Sequence, residues 1–310
     1  MAKSMKKMLL LVAVQTALGA VAAPTPAVNA ILCRAVQPEL IAGDQVPRNL
    51  IRPYKGNSGK MFAGEYRKVS CEVELAGSGT LGTAPAWGPM LRACGFSETV
   101  TAGASVTYEP VSEGEPYLTI WGYIDGTKYV MTDVKGNVSF ELNAKGIPVM
   151  KFEFIGTYSA VTEETMPVGV DYSAFKQPKV VGKVNTPTFT FHGHAACTSA
   201  FSIAWGNTLA WRELINCAGA TSADRQPTGS VTMELPKATT KDWAEIVRLG
   251  TIGSAQLVHG TDPGNIIELQ CPQVQCGPFS LQDDQSVAMM SMPFDLMPDQ
   301  GDDELTIIVR

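Results

Sequence analysis

Gly77-Ser-Gly79-Thr-Leu-Gly82 carries the Gly-x-Gly-x-x-Gly spacing with which a strand-to-helix turn presents backbone amides to a pyrophosphate. It follows a strand pattern and precedes a helical one, as dinucleotide binding requires. Downstream, however, the chain reads as hairpins rather than βαβ crossovers, and only an irregular leader precedes the motif. A second stretch of like organisation, Pro236-Lys-Ala-Thr-Thr-Lys241, keeps strand and helix without any glycine. The glycines therefore read as a flexible loop. Gly77 and Gly82 also have P-loop spacing, but Thr83 and Ala84 stand where Lys and Ser/Thr must be, which rules that site out.

His192-x-His194 places two imidazoles on one face of a strand, with Cys197 nearby, and such a pair holds a metal only with further ligands. His259 has no such neighbour, so surface or edge histidines are the simpler reading. Cys271 and Cys276 flank Pro272 and could close a loop disulfide in an exported protein. Asp283-Asp284 and Asp299-Gln-Gly-Asp-Asp-Glu304 lack EF-hand spacing and suit solvated turns, though carboxylates on a pore wall would read the same. Neither Gly-x-Ser-x-Gly nor His-Glu-x-x-His occurs. The expectation is a non-enzyme with no catalytic residues, cofactor site or metal site.

The elements that carry these residues are written twice. Arg48-Asn-Leu-Ile51, Ser70-Cys-Glu-Val-Glu-Leu75 and Trp87-Gly-Pro-Met-Leu-Arg92-Ala-Cys-Gly95 recur as Arg212-Glu-Leu-Ile215, Ser230-Val-Thr-Met-Glu-Leu235 and Trp243-Ala-Glu-Ile-Val-Arg248-Leu-Gly250. Arg48, Trp87, Arg92 and Gly95 thus correspond to Arg212, Trp243, Arg248 and Gly250. Tandem duplication is the expected cause, and it lets one chain fill two neighbouring places in a pseudo-symmetric assembly.

Strand alternation dominates. Val69–Leu75 alternates, Pro85–Gly95 reads as a short helix with Trp87, Leu91 and Cys94 on one face, and Asp125-Gly126 is a two-residue hairpin turn. A further turn is expected at Lys135-Gly-Asn137, and residues 28–60 read as irregular, broken by Pro38, Pro47 and Pro53. The second helix, about Thr240–Leu249, has Thr240 as its expected cap. Strands, one short helix and a meander, used twice, predict a mainly β protein of two sandwich- or barrel-like domains, each with a flanking helix. The expected divisions are an N-terminal arm at 1–35, β domains at 36–160 and 188–310, and a linker at 161–187.

The 310 residues suit two such domains. Lys and Arg number 24 against 30 Asp and Glu, a net charge of −6, and no basic run exists to grip duplex DNA. An acidic surface could still sit beside DNA without holding it. The seven cysteines are odd in number and form no Cys-x-x-Cys pair, which suits free thiols in a reducing compartment. Lys6-Lys7, Met8–Val14 and Ala20-Val-Ala-Ala23 outline a secretory signal, although Gln15 and Thr16 interrupt the apolar stretch early. No other stretch approaches the ~18 apolar residues of a membrane span. A secreted two-domain β-sandwich adhesion or carbohydrate-binding protein is the alternative that a true signal would support.

The chain resembles the major tail tube proteins of long-tailed (siphophage-type) bacteriophages, of the type with two tube domains. The resemblance rests on Glu74–Thr80 running into Thr83–Gly95, and on Val106–Ser112, Lys135–Leu142, Pro148–Gly156 and Gly301–Leu305. It implies that Met8-Leu-Leu-Leu, Thr16-Ala-Leu-Gly19 and Asn29-Ala-Ile-Leu32 belong to an N-terminal arm rather than a signal. It further implies a virion protein, assembled in the host cytoplasm, whose copies form stacked rings, the conduit for genome ejection. Six tube domains make a ring, so three chains with pseudo-sixfold symmetry would suffice, with a true hexamer as the alternative. The implied partners are copies of itself, the tape-measure protein and tail-end proteins, while DNA passes through an acidic lumen without specific binding.

Overall fold

Period-two alternation of apolar and polar residues builds nearly all of the protein, seen here in a computed structural model that describes residues 2–310. The first half runs β1 (Met8–Val14), α1 (Pro26–Asn29), β2 (Ala30–Ile31), β3 (Ala35–Pro47), β4 (Lys60–Glu74) and α2 (Gly88–Arg92). It continues through β5 (Thr99–Thr101), β6 (Ser105–Tyr108), β7 (Leu118–Ile124), β8 (Thr127–Asn143), β9 (Val149–Thr157) and β10 (Thr162–Glu163). The second half holds β11 (Thr188–Phe191), β12 (Thr198–Ala204), β13 (Asn207–Leu214), β14 (Cys217–Arg225), β15 (Thr228–Glu234) and α3 (Trp243–Leu249). It ends with β16 (Ile252–His259), β17 (Ile267–Cys276), β18 (Ser280–Asp284), β19 (Val287–Met297) and β20 (Thr306–Val309). The protein is mainly β, as expected, and the described residues form three short helices, of which α1 was not foreseen.

A principal antiparallel sheet runs β3-β4-β9-β8-β12-β15-β19-β18. Behind it, β17 pairs β16 and β20, which lead on to β11 and β6. A smaller sheet, β2-β1-β7-β8-β10, covers the first half. One buried core fills the space between. It takes Val69, Cys71, Val138, Phe140, Phe152 and Phe154 from one half, and Phe201, Val231, Met233, Met290, Met292 and Phe294 from the other. Each large side chain withdrawn from water in this way contributes about 1.5–3 kcal/mol.

Strand β8 serves both sheets. Its first half pairs β7 after the Asp125-Gly126 turn, where both residues adopt positive φ, and its second half pairs β9 and β12. No turn forms at Lys135-Gly-Asn137. Instead a register shift between Thr132 and Lys135 bends a continuous strand, and Gly136 lies where a Cβ would stand 2.6 Å from the Phe154 ring. The prolines of residues 28–60 likewise do not prevent a strand. Pro38 and Pro47 lie in β3, which pairs only β4, so their missing N–H groups need no second partner.

Residues 8–14, expected in an N-terminal arm and signal-like in composition, form β1 between β2 and β7, with Leu9–Val12 buried. Residues 161–187, expected as a linker, lie against the body. Met166, Val170 and Tyr172 pack on Leu9, Leu11 and Tyr123, while Phe175 and Val181 reach the main core. Trp87, Leu91 and Cys94 are buried together, as their spacing predicts. The cap of α3 is Asp242, which accepts from the Glu245 amide, rather than Thr240.

Arg67 ties the two sheets together. It is fully buried, and its Nε, Nη1 and Nη2 each donate at 2.9 Å to the carbonyls of Leu40, Val130 and Ser159. Tyr129 and Tyr158 flank the guanidinium at 5.4 and 5.0 Å. Burial pulls its pKa down, yet a guanidinium stays protonated and needs every one of these acceptors. Arg67→Lys should cost about 3–5 kcal/mol in chemical denaturation, because an ammonium cannot span three divergent carbonyls.

Glu268 on β17 is buried too. Burial pushes its carboxyl up, but the side-chain amides of Gln270 and Gln256 and the Arg310 guanidinium outweigh this and hold it below the usual range. Its stabilisation is therefore present above pH ~4.3 and lost as pH falls through the lower folded value. Glu268→Gln should flatten the acid limb of stability against pH without changing the neutral limb.

Candidate assembly surface

The glycine loop is a packing device. The Gly77 amide donates to Asn265 Oδ1 at 2.7 Å and the Gly79 amide to the Gly264 carbonyl at 2.9 Å, so both are committed to the Asp262–Asn265 turn. A Cβ on Gly77 would stand 2.2 Å from the Gly264 oxygen. His192 and His194 do not project from a flat strand. β11 ends at Phe191, His192 and Gly193 turn at positive φ, and both imidazoles stand against Trp243 at 5.9 and 6.2 Å. His192 Nε2 lies 3.3 Å from Cys276 Sγ. Burial lowers the imidazole pKa and pushes the thiol up to about 12, so this is a neutral pair rather than an activated thiolate. His259 bonds Thr186 Oγ1 and the Lys179 carbonyl, and Cys197 is exposed. Among the described residues no three His, Cys, Asp or Glu side chains cluster as a metal site would need. Cys271 and Cys276 are free thiols.

Arg48 and Arg212 lie near the tips of the β3–β4 and β13–β14 hairpins, and Ile51 and Ile215 beside them are 101% and 102% exposed. Trp87 and Trp243 are buried at the starts of α2 and α3, and Arg92 and Arg248 stand in their last turns. Gly95 and Gly250 follow at φ +90° and +61°, where the chain leaves each helix in the left-handed region. The strand registers run in parallel as well. Ala35, Glu72, Lys151 and Ser139 form one row across β3-β4-β9-β8, and Ala200, Thr232, Ser291 and Ser280 form one across β12-β15-β19-β18.

These two four-strand sets join edge to edge. Asn143, Leu142, Glu141, Phe140 and Ser139 of β8 pair Ala200 to Ala204 of β12 in order. The outer edges, β3 and β18, have partners on one side only, and every residue of β18 is exposed. The face of the joined sheet opposite the core carries Glu39, Glu72, Glu74, Glu141, Glu153, Glu234, Asp284 and Asp295 against Lys68 and Lys151, with Leu209 and Trp211 of β13 beside Glu39, Lys68 and Glu153. Such open edges leave rows of unpaired backbone groups with which another chain could pair. The sequence model of the phage tail tube protein family matches residues 6–294.

The chain belongs to the phage tail tube protein family.

No curated protein matches the chain closely enough to stand as a relative. A tail tube protein is a structural component of the virion tail, and among the described residues no helix is long and apolar enough to cross a membrane. Sequence reasoning missed the residues that fix one half of this tail tube protein to the other. Arg225 bonds both oxygens of buried Glu304 (3.0 and 3.1 Å), Asp302 (2.5 Å) and the Val111 carbonyl (3.0 Å). Asp302 in turn accepts from Ser112. The acidic cluster 299–304 is thus in part a clamp rather than a solvated turn, and its only signal in sequence was the Gly301–Leu305 resemblance. Gly77→Ala, which drives a methyl into the Gly264 carbonyl, should destabilise the fold by about 2 kcal/mol or more in urea unfolding. Gly114→Ala, with open space around its Cβ position but φ +78°, should cost less, about 1 kcal/mol.

Proposed function

We propose that this protein builds the tail tube as stacked rings of three chains, each chain supplying two pseudo-equivalent tube domains, and that the tube conducts the genome into the host. The observation that carries this reading is the β8–β12 ladder. It is an edge pairing between the two halves of one chain, and repeating it between chains joins β18 of one copy to β3 of the next. Matching registers then place Gln282 against Gln37, as Glu141 stands against Ser202 within the chain. Three chains of eight strands give 24, and at ~4.8 Å per strand a closed sheet of ~37 Å diameter before tilt widens it. That leaves room for a DNA duplex.

The acidic sheet face would line this lumen and repel phosphates, so DNA would pass as a transient passenger. The open edges explain why the monomer would not persist at high concentration: an unpaired strand row is a template for another chain. Expected partners, from the family resemblance, are the tape-measure protein inside and tail-end proteins at either extremity.

The test is a designed disulfide. Gln37→Cys combined with Gln282→Cys, oxidised after assembly, should give a denaturing-gel ladder that ends at three chains, with unmodified protein as the control for the native thiols. Rings that form without any such cross-link would place another pair of edges in contact, and a ladder running to six would replace the trimer with a hexamer.

A further inference from the structure

The β13–β14 hairpin does not continue the principal sheet. Beyond Trp205-Gly206 it swings across β8, β9 and β4 of the first half. Asn207 is held there by Asn137 Oδ1 (3.1 Å) and by the Cys94 and Gly136 carbonyls (2.8 and 2.9 Å). Farther along, the Trp211 ring stacks on Tyr66 at 5.6 Å, and the Glu213 side chain reaches Gly64, on the first hairpin. The second hairpin thus has its place on the first half of the chain.

The other hairpin lacks its contact. From Asp44 to Ala63 every residue but Ser58 is exposed, including Val46, Leu50, Ile51, Tyr54, Met61 and Phe62. The same stretch, from Gln45 on, carries Arg48, Arg52, Lys55 and Lys60 and no carboxylate. The place corresponding to Tyr66 and Thr157 on the other half is the end of the sheet around Gln226 and Met297, reached by the same strand offsets that align the two halves. Exposed Asp224, Asp295 and Asp299 cluster in that part of the sequence and sheet.

We propose that the β3–β4 hairpin is an intermolecular strap, laid across β15 and β19 of the adjacent copy in the ring. Its apolar tip at Leu50 and Ile51 reaches that surface, and its basic residues face Asp224, Asp295 and Asp299. The proposal rests on the ring reading above and adds to it a second, side-chain-specific contact beside the edge ladder. It also gives the ring direction: each copy grips the next through a basic donor and an acidic acceptor that are not interchangeable, a heterologous contact that closes by rotation.

The experiment replaces Ile51 with the photo-cross-linker p-benzoylphenylalanine in the full-length protein. Ile51 makes no contact within its chain, so the substitution leaves the fold alone. Irradiated assemblies should give inter-chain adducts that map by mass spectrometry to residues 222–227 or 293–299. Adding Arg48→Glu and Arg52→Glu should cut their yield about tenfold. Adducts at Val181, Phe189 or Met289 of another copy would instead place the tip on the opposite end of the sheet, in a ring-to-ring contact, and overturn the strap. Adducts confined to the same chain, or none, in well-formed rings would overturn it alone. Failure of unmodified protein to assemble at all would overturn the ring reading and the strap together.

Discussion

The ladder between β8 and β12 is the constraint on which the rest depends. Backbone hydrogen bonds across an antiparallel pair fix distance, direction and register at once, because a slip of one residue would turn every side chain to the opposite face. Here that register puts Phe140, Leu142, Phe201 and Ile203 into the core and Ser139, Glu141 and Ser202 on the polar face. The two halves therefore present one continuous surface of one chemical character. Whatever lies behind the sheet has to preserve that continuity.

Three local devices do so. Arg67 pins the small sheet to the large one through carbonyls alone, so its charge is held by dipoles and aromatic faces rather than by a carboxylate. The glycine loop at 77–79 docks on the 262–265 turn through the Gly79 amide on the Gly264 carbonyl and the Gly77 amide on Asn265 Oδ1. Arg225 fastens the C-terminal acidic stretch and the Val111 loop to the base of the second hairpin. All three bridge elements far apart in sequence: Arg67 does so within the first half, while the glycine loop and Arg225 restrain rotation of one half against the other. A tube subunit with a hinge at that seam would not present a fixed edge to its neighbour.

Much of this was legible because side-chain pattern is local. The Val69–Leu75 alternation, the shared face of Trp87, Leu91 and Cys94 and the Asp125-Gly126 turn each declare themselves within a few residues. What stayed hidden depends on partners. Seven apolar residues at 8–14 look alike whether they lead a secretory signal or fill a buried strand, and only the β7 pairing distinguishes them. Pro38 reads as a strand breaker until β3 is known to be an edge. Lys135-Gly-Asn137 reads as a turn until β8 is seen to bend between two sheets. Gly77 and Gly79 fit a phosphate loop until Gly264 and Asn265, nearly two hundred residues on, take up their amides. The clamp at Arg225 had no signal beyond the Gly301–Leu305 resemblance, since its carboxylates lie 77 and 79 residues away.

The most direct measurement of the central claim is a cryo-electron-microscopy reconstruction of the assembled polymer. The account predicts a threefold ring of three chains, a continuous inner sheet in which the β18–β3 seam between chains repeats the β8–β12 seam within them, and the acidic face turned to the lumen. A ring of six chains in identical environments, or an inner wall in which β18 and β3 remain unpaired, would contradict it.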